Sequence, residues 1–366
     1  MKTQQLARWV IACHCLPWLP ALAQNTLTVP IEVVRISNPD LAAVSSGSVT
    51  LFRISPQYTI QKVDGPTRTE WGFGATVERS SNTDLSANRT LPRASVVWEN
   101  TTPLSVFAVR GSLEEASTRE TEFAEFGRVT RDSTERVGSL GATWTRNITE
   151  SSRWELAATQ RQVSYDTDVF RDFSETSASA AYEVDTSPTA RMSFTGSASS
   201  VNPEGAGDNS TRTGLGLGYE TALTEVLSLA AGAGVVRTSG VRSRTSAVGN
   251  LRLAYEGERY GYLLGWSREV SAGGSIGGFT RSQSFTASMR YAMTAENTLS
   301  FGLDHAKALE GARDSGATAY VRISSVLTPF WTFSAGVEHR RAMRAIGPTG
   351  SGNALTVGLV YSHPDF

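Results

Sequence analysis

From Trp98 to Leu327 apolar and polar residues alternate in short runs, and the runs recur. Trp98, Trp144, Tyr182, Tyr219, Tyr255, Tyr291 and Leu327 each stand just before a short polar turn, at successive intervals of 46, 38, 37, 36, 36 and 36 residues. A fixed period of this size points to a repeated supersecondary unit. Two and four residues before each anchor, thirteen of fourteen side chains are apolar, Leu217/Leu215 and Leu253/Leu251 among them. One and three residues before it they are mostly small or polar, as in Gly218/Gly216 and Arg290/Ser288. Alternation with a period of two marks a strand with one greasy and one wet face. Each repeat reads as a β-hairpin with one tight turn and one longer loop.

Strands of about 9 to 11 tilted residues cross a bilayer core. Lipid offers backbone groups no partner, so such hairpins must close into a ring without an edge. The pattern predicts an all-β fold, a single transmembrane antiparallel up-and-down β-barrel. A soluble propeller also repeats at about 40 residues, but its blades hold four short strands and bury both faces. Tight turns are expected at residues 100–103, 147–152, 186–189, 221–225, 257–259, 294–297 and 328–330. The opposite connections are longer, at 80–92, 115–133, 166–173, 202–210, 240–244, 272–281, 310–316 and 343–353. Short turns belong on the periplasmic side and long loops on the extracellular side. Residues 27–35 read as a first strand, although Pro30 has no N–H for the ladder, and 49–61 as a second. Counting the first gives 18 strands, the preferred number. Without it 16 or 17 remain, and the even-number habit of bacterial barrels makes 16 the second choice.

Composition refines this picture. For 366 residues two soluble domains would be the default, yet no linker interrupts the repeat. A formal net charge of -1 leaves no basic surface overall and argues against a nucleic-acid partner. Mean hydropathy is -0.21 and no run past the N-terminus approaches 18 apolar residues, so helices do not span a membrane here. Only Lys2, Lys62 and Lys307 of the 34 basic residues are lysines. The arginine excess suits lumen ion pairs or contact with phosphate-bearing lipid, and high genomic GC content would produce the same bias.

Residues 1–23 resemble a secretory signal peptide: Lys2 and Arg8, a moderately apolar stretch, then Ala21-Leu22-Ala23 before the cut. A lipoprotein box at Val10–Cys13 is the rival, with only four residues between Arg8 and Cys13. Residues 24–366 would form the barrel. Cys13 and Cys15 both lie in the removed part, so the mature chain has no thiol for a disulfide or a metal.

Trp98, Trp144, Tyr182, Tyr219, Tyr255 and Tyr291, with Trp154, Tyr260 and Trp331 just after turns, predict an aromatic girdle at the membrane–water boundary. Glu99, Glu183, Glu220 and Glu256 each follow an anchor by one residue and face inward near the periplasmic mouth. Arg252, Arg290 and Arg322 face inward a little higher. Rings of opposite charge select ions or charged solutes at a constriction, or merely pair across strands in a wet interior. Gly214, Gly216 and Gly218 share the inward face of one strand, leaving room for a folded-in loop or for curvature. The longest loop, 115–133, is the densest in charge, and Glu120, Glu122, Glu125 and Arg128 are its constriction candidates. A loop folded into the lumen would narrow the pore; a solvated surface loop is the preferred reading of that composition.

Barrel enzymes need Ser, His and Asn, or paired Asp with His, at one place. His305 and His339 share the lipid-facing phase, Asp304 points the other way, and His363 lies near the periplasm, so no catalytic residue is assigned. No Asp/Glu/His group has metal-ligand spacing, so neither metal nor cofactor is expected.

Six stretches carry a family resemblance: Asn38-Pro39-Asp40-Leu41, Phe52-Arg53-Ile54-Ser55-Pro56, Glu78-Arg79-Ser80-Ser81-Asn82-Thr83, Leu85-Ser86-Ala87-Asn88-Arg89, Glu115-Ala116-Ser117-Thr118-Arg119 and Val163-Ser164-Tyr165-Asp166-Thr167. They resemble a family of uncharacterised proteobacterial outer-membrane β-barrels of the porin type, whose relatives are similar to barrels found with exosortase or exopolysaccharide systems. The resemblance implies a Gram-negative outer-membrane location, and a link to polysaccharide or periplasmic export components as partners. Phe366 fits the terminal aromatic read by the barrel-insertion machinery, although Leu355, Val357, Leu359 and Tyr361 alternate out of phase with it. The expected function is a porin-like channel with a charged lumen. The alternatives are a structural or assembly barrel without an open pore and, third, a barrel enzyme.

Overall fold

The computed structural model describes residues 24–364, except 128, 130–131, 206–207, 241–242, 274–277, 311–313 and 346. The signal-peptide segment, Arg128 and Phe366 lie outside the described residues.

Alternating residues produce strands that run in chain order around one ring. They are β1 (Gln24–Ser37), β2 (Ser48–Ile54), β3 (Gln57–Asp64), β4 (Thr67–Ser80), β5 (Arg89–Thr101), β6 (Ser105–Ser117), β7 (Thr134–Thr149), β8 (Ser152–Tyr165), β9 (Phe173–Ser187) and β10 (Ala190–Pro203). There follow β11 (Ser210–Ala222), β12 (Leu227–Ser239), β13 (Arg244–Glu256), β14 (Tyr260–Gly273), β15 (Gly278–Ala292), β16 (Asn297–Ala308), β17 (Ser315–Thr328), β18 (Trp331–Met343) and β19 (Gly350–Pro364). Every neighbour pair is antiparallel, and β1 closes the ring by pairing with β19 from Thr26↔Pro364 to Ile36↔Ala354.

Both β2 and β3 lie between β1 and β4, in one unbroken register: Ile54↔Ile31 and Gln57↔Thr28 on one side, Ile54↔Val77 and Gln57↔Gly74 on the other. They are two halves of one wall strand, so the 19 segments make a closed barrel of 18 strands. The break has a local cause. Pro56 and Pro30 face each other's strands at this level and neither can donate to the ladder. Ser55 N–H still donates to Pro30 O at 2.9 Å, and Ala75 N–H to Pro56 O at 3.2 Å. Pro30 thus interrupts one rung without removing β1 from the wall.

The faces sort as the alternation predicts. Leu215, Leu217, Leu251, Leu264, Phe285, Phe301, Leu303, Val337 and Leu355 are large, apolar and exposed on the outside. A continuous belt of this kind is tenable only against hydrocarbon. The described residues contain no helix long and apolar enough to cross a membrane. What core exists is small and sits inside the extracellular half of the barrel: Val163, Phe173, Val201 and Ala272 in one cluster, Val34, Val49 and Leu51 in another, Leu41, Phe123 and Ala342 in a third.

Candidate functional site

The one helix among the described residues, α1 (Thr118–Phe126), lies in the connection between β6 and β7 and packs against β15, β16 and β17 on the opposite wall. The solvated-loop reading of this segment is therefore overturned: the loop is folded into the lumen. Its charges explain why composition misled. Arg119 and Glu122 are buried, and Glu120 and Glu125 reach side chains of the wall.

At the start of α1, Glu120 accepts a hydrogen bond from Arg53 at 2.7 Å, and Arg53 also donates to Glu78 at 2.6 Å. The Glu78 side chain is only 4% exposed, and Arg89 stands 3.8 Å from its other oxygen. Arg89 reaches Asp132 at 2.5 Å, just past the helix. Arg119 donates to Asp40 at 2.8 Å and to Leu85 O at 2.7 Å. Thr118 and Ser133 tie the two ends of the loop together, Ser133 N–H donating to Thr118 Oγ1 at 2.9 Å. Asp166 in turn accepts from Ser133 and from Thr134 N–H. Every one of the six stretches that carry the family resemblance contributes a residue to this anchorage: Asp40, Arg53, Glu78, Leu85 with Arg89, Arg119, and Asp166.

The far end of α1 is held by packing. Phe123 sits against Leu41 and Ala342, with the Arg340 guanidinium 5.7 Å over its ring. Gly127 caps the helix with φ +69, the left-handed conformation that glycine adopts freely. It lies so close to β17 that a Cβ on it would come within 1.9 Å of Gly316 N, and a Cβ on Gly316 within 2.5 Å of Gly127 Cα. Two glycines let helix and wall touch. On its other face Glu125 accepts from Ser271 at 2.7 Å.

Burial is the largest influence on both helix carboxylates, with opposite results. For Glu125 it prevails over the Ser271 hydrogen bond and pushes the carboxyl above the usual range. For Glu120 it is outweighed by the charge and hydrogen bond of Arg53, which hold the carboxyl below the usual range. Glu122 is buried on the same helix.

Nearer the periplasmic mouth the expected charge rings resolve into separate pairs. Glu183 pairs with Arg153 at 2.5 Å and lies 3.8 Å from Arg191, and Glu256 with Arg290 at 3.3 Å. Among the described residues Glu99, Glu220, Arg252 and Arg322 make no ion pair. Arg290 and Arg322 stand level on the inner wall, with Ser300 between them in register. Gly214, Gly216 and Gly218 do not receive the folded loop, which packs on the opposite wall. With Gly232, Gly234, Ser193, Thr195 and Asn250 they line a bare cleft of about 590 Å³.

The aromatic residues form an outward band at the short-turn end. Trp98 meets Phe107 edge-on at 6.0 Å, Trp154 meets Tyr182 at 5.1 Å, Tyr260 stacks on Tyr291 at 4.9 Å, and Trp331 meets Tyr361 at 5.1 Å. Tyr255 lies 5.8 Å from Tyr262, and Tyr219 and Trp144 continue the band on β11 and β7. His305 lies opposite outward Phe285, and His339 is hydrogen-bonded through Nδ1 to Asn353 at 2.8 Å on the same outer face.

This geometry has solved counterparts. The outer membrane protein OpdK from Pseudomonas aeruginosa superposes with a TM-score of 0.54 at 12% identity, over 93% of this chain and 99% of that one. The fold is an outer-membrane β-barrel. OpdQ from Pseudomonas aeruginosa gives 0.53 at 8% identity over 94% and 99%, and OccAB4 from Acinetobacter baumannii gives 0.52 at 10% over 93% and 98%. No family model matches the chain, and no curated protein sequence matches it.

Proposed function

We propose that the protein is a porin-like outer-membrane channel, whose lumen is narrowed by α1 and conducts small charged solutes, with anionic groups held along the arginine wall. The observation that carries this reading is a polar inner face crossed by one anchored loop helix, with Arg252 and Arg322 on that inner face and in no ion pair among the described residues. Guanidinium groups bind carboxylates in a bidentate fork, and one solved OpdK structure is described as holding vanillate, a carboxylate. The apolar outer belt supports placement in the outer membrane, and in this reading residues 1–23 serve as the export signal and Phe366 as the insertion mark. No catalytic role is assigned.

The test is the reversal potential across a planar bilayer under a salt gradient. Replacing Arg252, Arg290 and Arg322 together by Gln shifts selectivity away from anions by several-fold. An unchanged reversal potential would refute the role given to the arginine wall.

A second reading, an assembly barrel of an envelope polysaccharide system without an open pore, draws on the firm anchorage of α1 across the lumen and on the sequence resemblance. It predicts a silent, folded barrel that co-purifies with a periplasmic export component.

A further inference from the structure

The outer face of the barrel, above its apolar belt, carries an uneven charge. On the extracellular ends of the strands the outward positions include Arg35, Arg79, Arg136, Arg237, Lys307 and Arg341, against one acid, Glu115, which is already paired with Arg136 at 2.6 Å. The registers fix these orientations: Arg35 lies opposite Leu355, Arg79 opposite Phe52, Arg237 opposite Thr213, and Arg341 opposite Ala317 and Ser351. Among the described residues Arg35, Arg79, Lys307 and Arg341 make no ion pair, and all four are exposed. The periplasmic end of the same face carries mainly aromatic rings, with Lys62 and Arg146 as outward cations among them.

Three of these cations lie on the strands around the seam where the barrel closes. Arg35 on β1 and Arg341 on β18 flank a polar floor made by Ser37, Asn353 and His339, and Lys307 stands two strands beyond Arg341 on β16. Asn353 N–H donates to Ser37 Oγ at 2.9 Å, and His339 Nδ1 meets Asn353 Oδ1 at 2.8 Å. Adjacent strands stand about 4.8 Å apart and rise about 3.3 Å per residue; Arg35 and Arg341 lie two strands apart, opposite Leu355 and Ser351 of β19, so their long side chains approach Asn353 between them from two sides. Directly below runs an outward groove of about 1020 Å³ lined by Leu264, Met289, Leu303, Val321, Val337 and Leu355, with Arg35, His339 and Asn353 at its upper rim.

Cations at the ends of lipid-facing strands sit where the cost of charge is low, and their positive sign has no counterpart on the protein. We infer that this seam is a binding site for an anionic, phosphate-bearing lipid of the extracellular leaflet. Arg35 and Arg341 would hold one headgroup phosphate over Asn353, Lys307 would meet a second phosphate further along the edge, and the groove beneath would take an acyl chain. The inference rests on the outer-membrane reading, and Arg79 extends the same cationic edge toward β4.

The full chain, folded in detergent, is titrated with bisphosphorylated lipid A and with the same lipid stripped of phosphate, and complexes are counted by native mass spectrometry. Phosphorylated lipid is expected to bind at least tenfold more tightly than the stripped form. Replacing Arg35, Lys307 and Arg341 by Gln abolishes that difference, whereas Arg290→Gln inside the lumen leaves it intact. Equal binding of both lipids, or an unchanged preference in the triple variant, overturns the site. Competition by inorganic phosphate at the lipid's own affinity would overturn the lipid as occupant. Conductance of the triple variant, read in parallel, reports on the channel separately, since none of the three faces the lumen.

Discussion

At the scale of single residues the molecule depends on a few buried charges being paired. Glu78 is held by Arg53 and, more distantly, by Arg89. Arg53→Ala leaves it with the weaker partner and frees Glu120 as well. Removing one partner of a buried ion pair costs about 3 to 5 kcal/mol; the remaining Arg89 places this case near the low end. The measurement is denaturant unfolding in detergent micelles, with a clear fall in midpoint expected and an unchanged midpoint contradicting the anchorage. Glu125 offers a pH signature. Its folded-state pKa is raised, so it favours the folded state below the unfolded pKa, and that contribution is lost as pH rises through the raised value. Acidification from neutral pH should therefore stabilise the wild type through this group. Glu125→Gln should be the more stable at neutral pH and should flatten that part of the dependence. Identical melting profiles for the two proteins from pH 5 to 8 would contradict the burial of this carboxylate. None of these pairings was legible in the sequence, because each joins residues far apart in the chain: 79 positions separate Asp40 from Arg119 and 146 separate Glu125 from Ser271. The motif stretches Phe52–Pro56 and Glu78–Thr83 did carry a signal: each places a charged residue, Arg53 or Glu78, on an inward strand position.

At the scale of elements the strands were the readable part. Alternation is local, and an antiparallel wall repeats it in each hairpin, so β4 to β19 follow from Trp71, Leu217, Leu253 and their neighbours. The first strand was harder, because Pro30 breaks the ladder rule. Its partner is interrupted by Pro56 at the same level, so one irregularity absorbs both. The helix was not readable as a lumen element. Its sequence, TRETEFAEF, is mostly charged or polar, with Phe123 and Phe126 as its large apolar residues, and such a weak pattern suits solvent or an interior of charges equally. What seats it is the contact of Gly127 with Gly316, which neither residue's neighbours announce. Gly316→Val fills that contact and should push α1 off the wall while β17 keeps its pairing. The expected result is noisier, larger single-channel current from a normally folded barrel; current indistinguishable from wild type would show that the contact does not seat the helix.

At the scale of the whole molecule the ring, the belt and the crossing helix describe a single device. In the proposed channel the barrel supplies an aqueous interior through a medium that excludes ions, and α1 sets how wide that interior is. Side-chain direction was predictable because inside and outside alternate with the pleat, whereas the filling of the interior depends on a loop that alternation does not describe. The most direct measurement is single-channel conductance of the wild type beside a variant in which residues 119–127 are replaced by a short Gly/Ser linker. A conducting wild type, and a variant whose unit conductance rises at least twofold, is the predicted result. Two folded proteins with the same conductance, or none at all in either, would contradict a lumen gated by this helix.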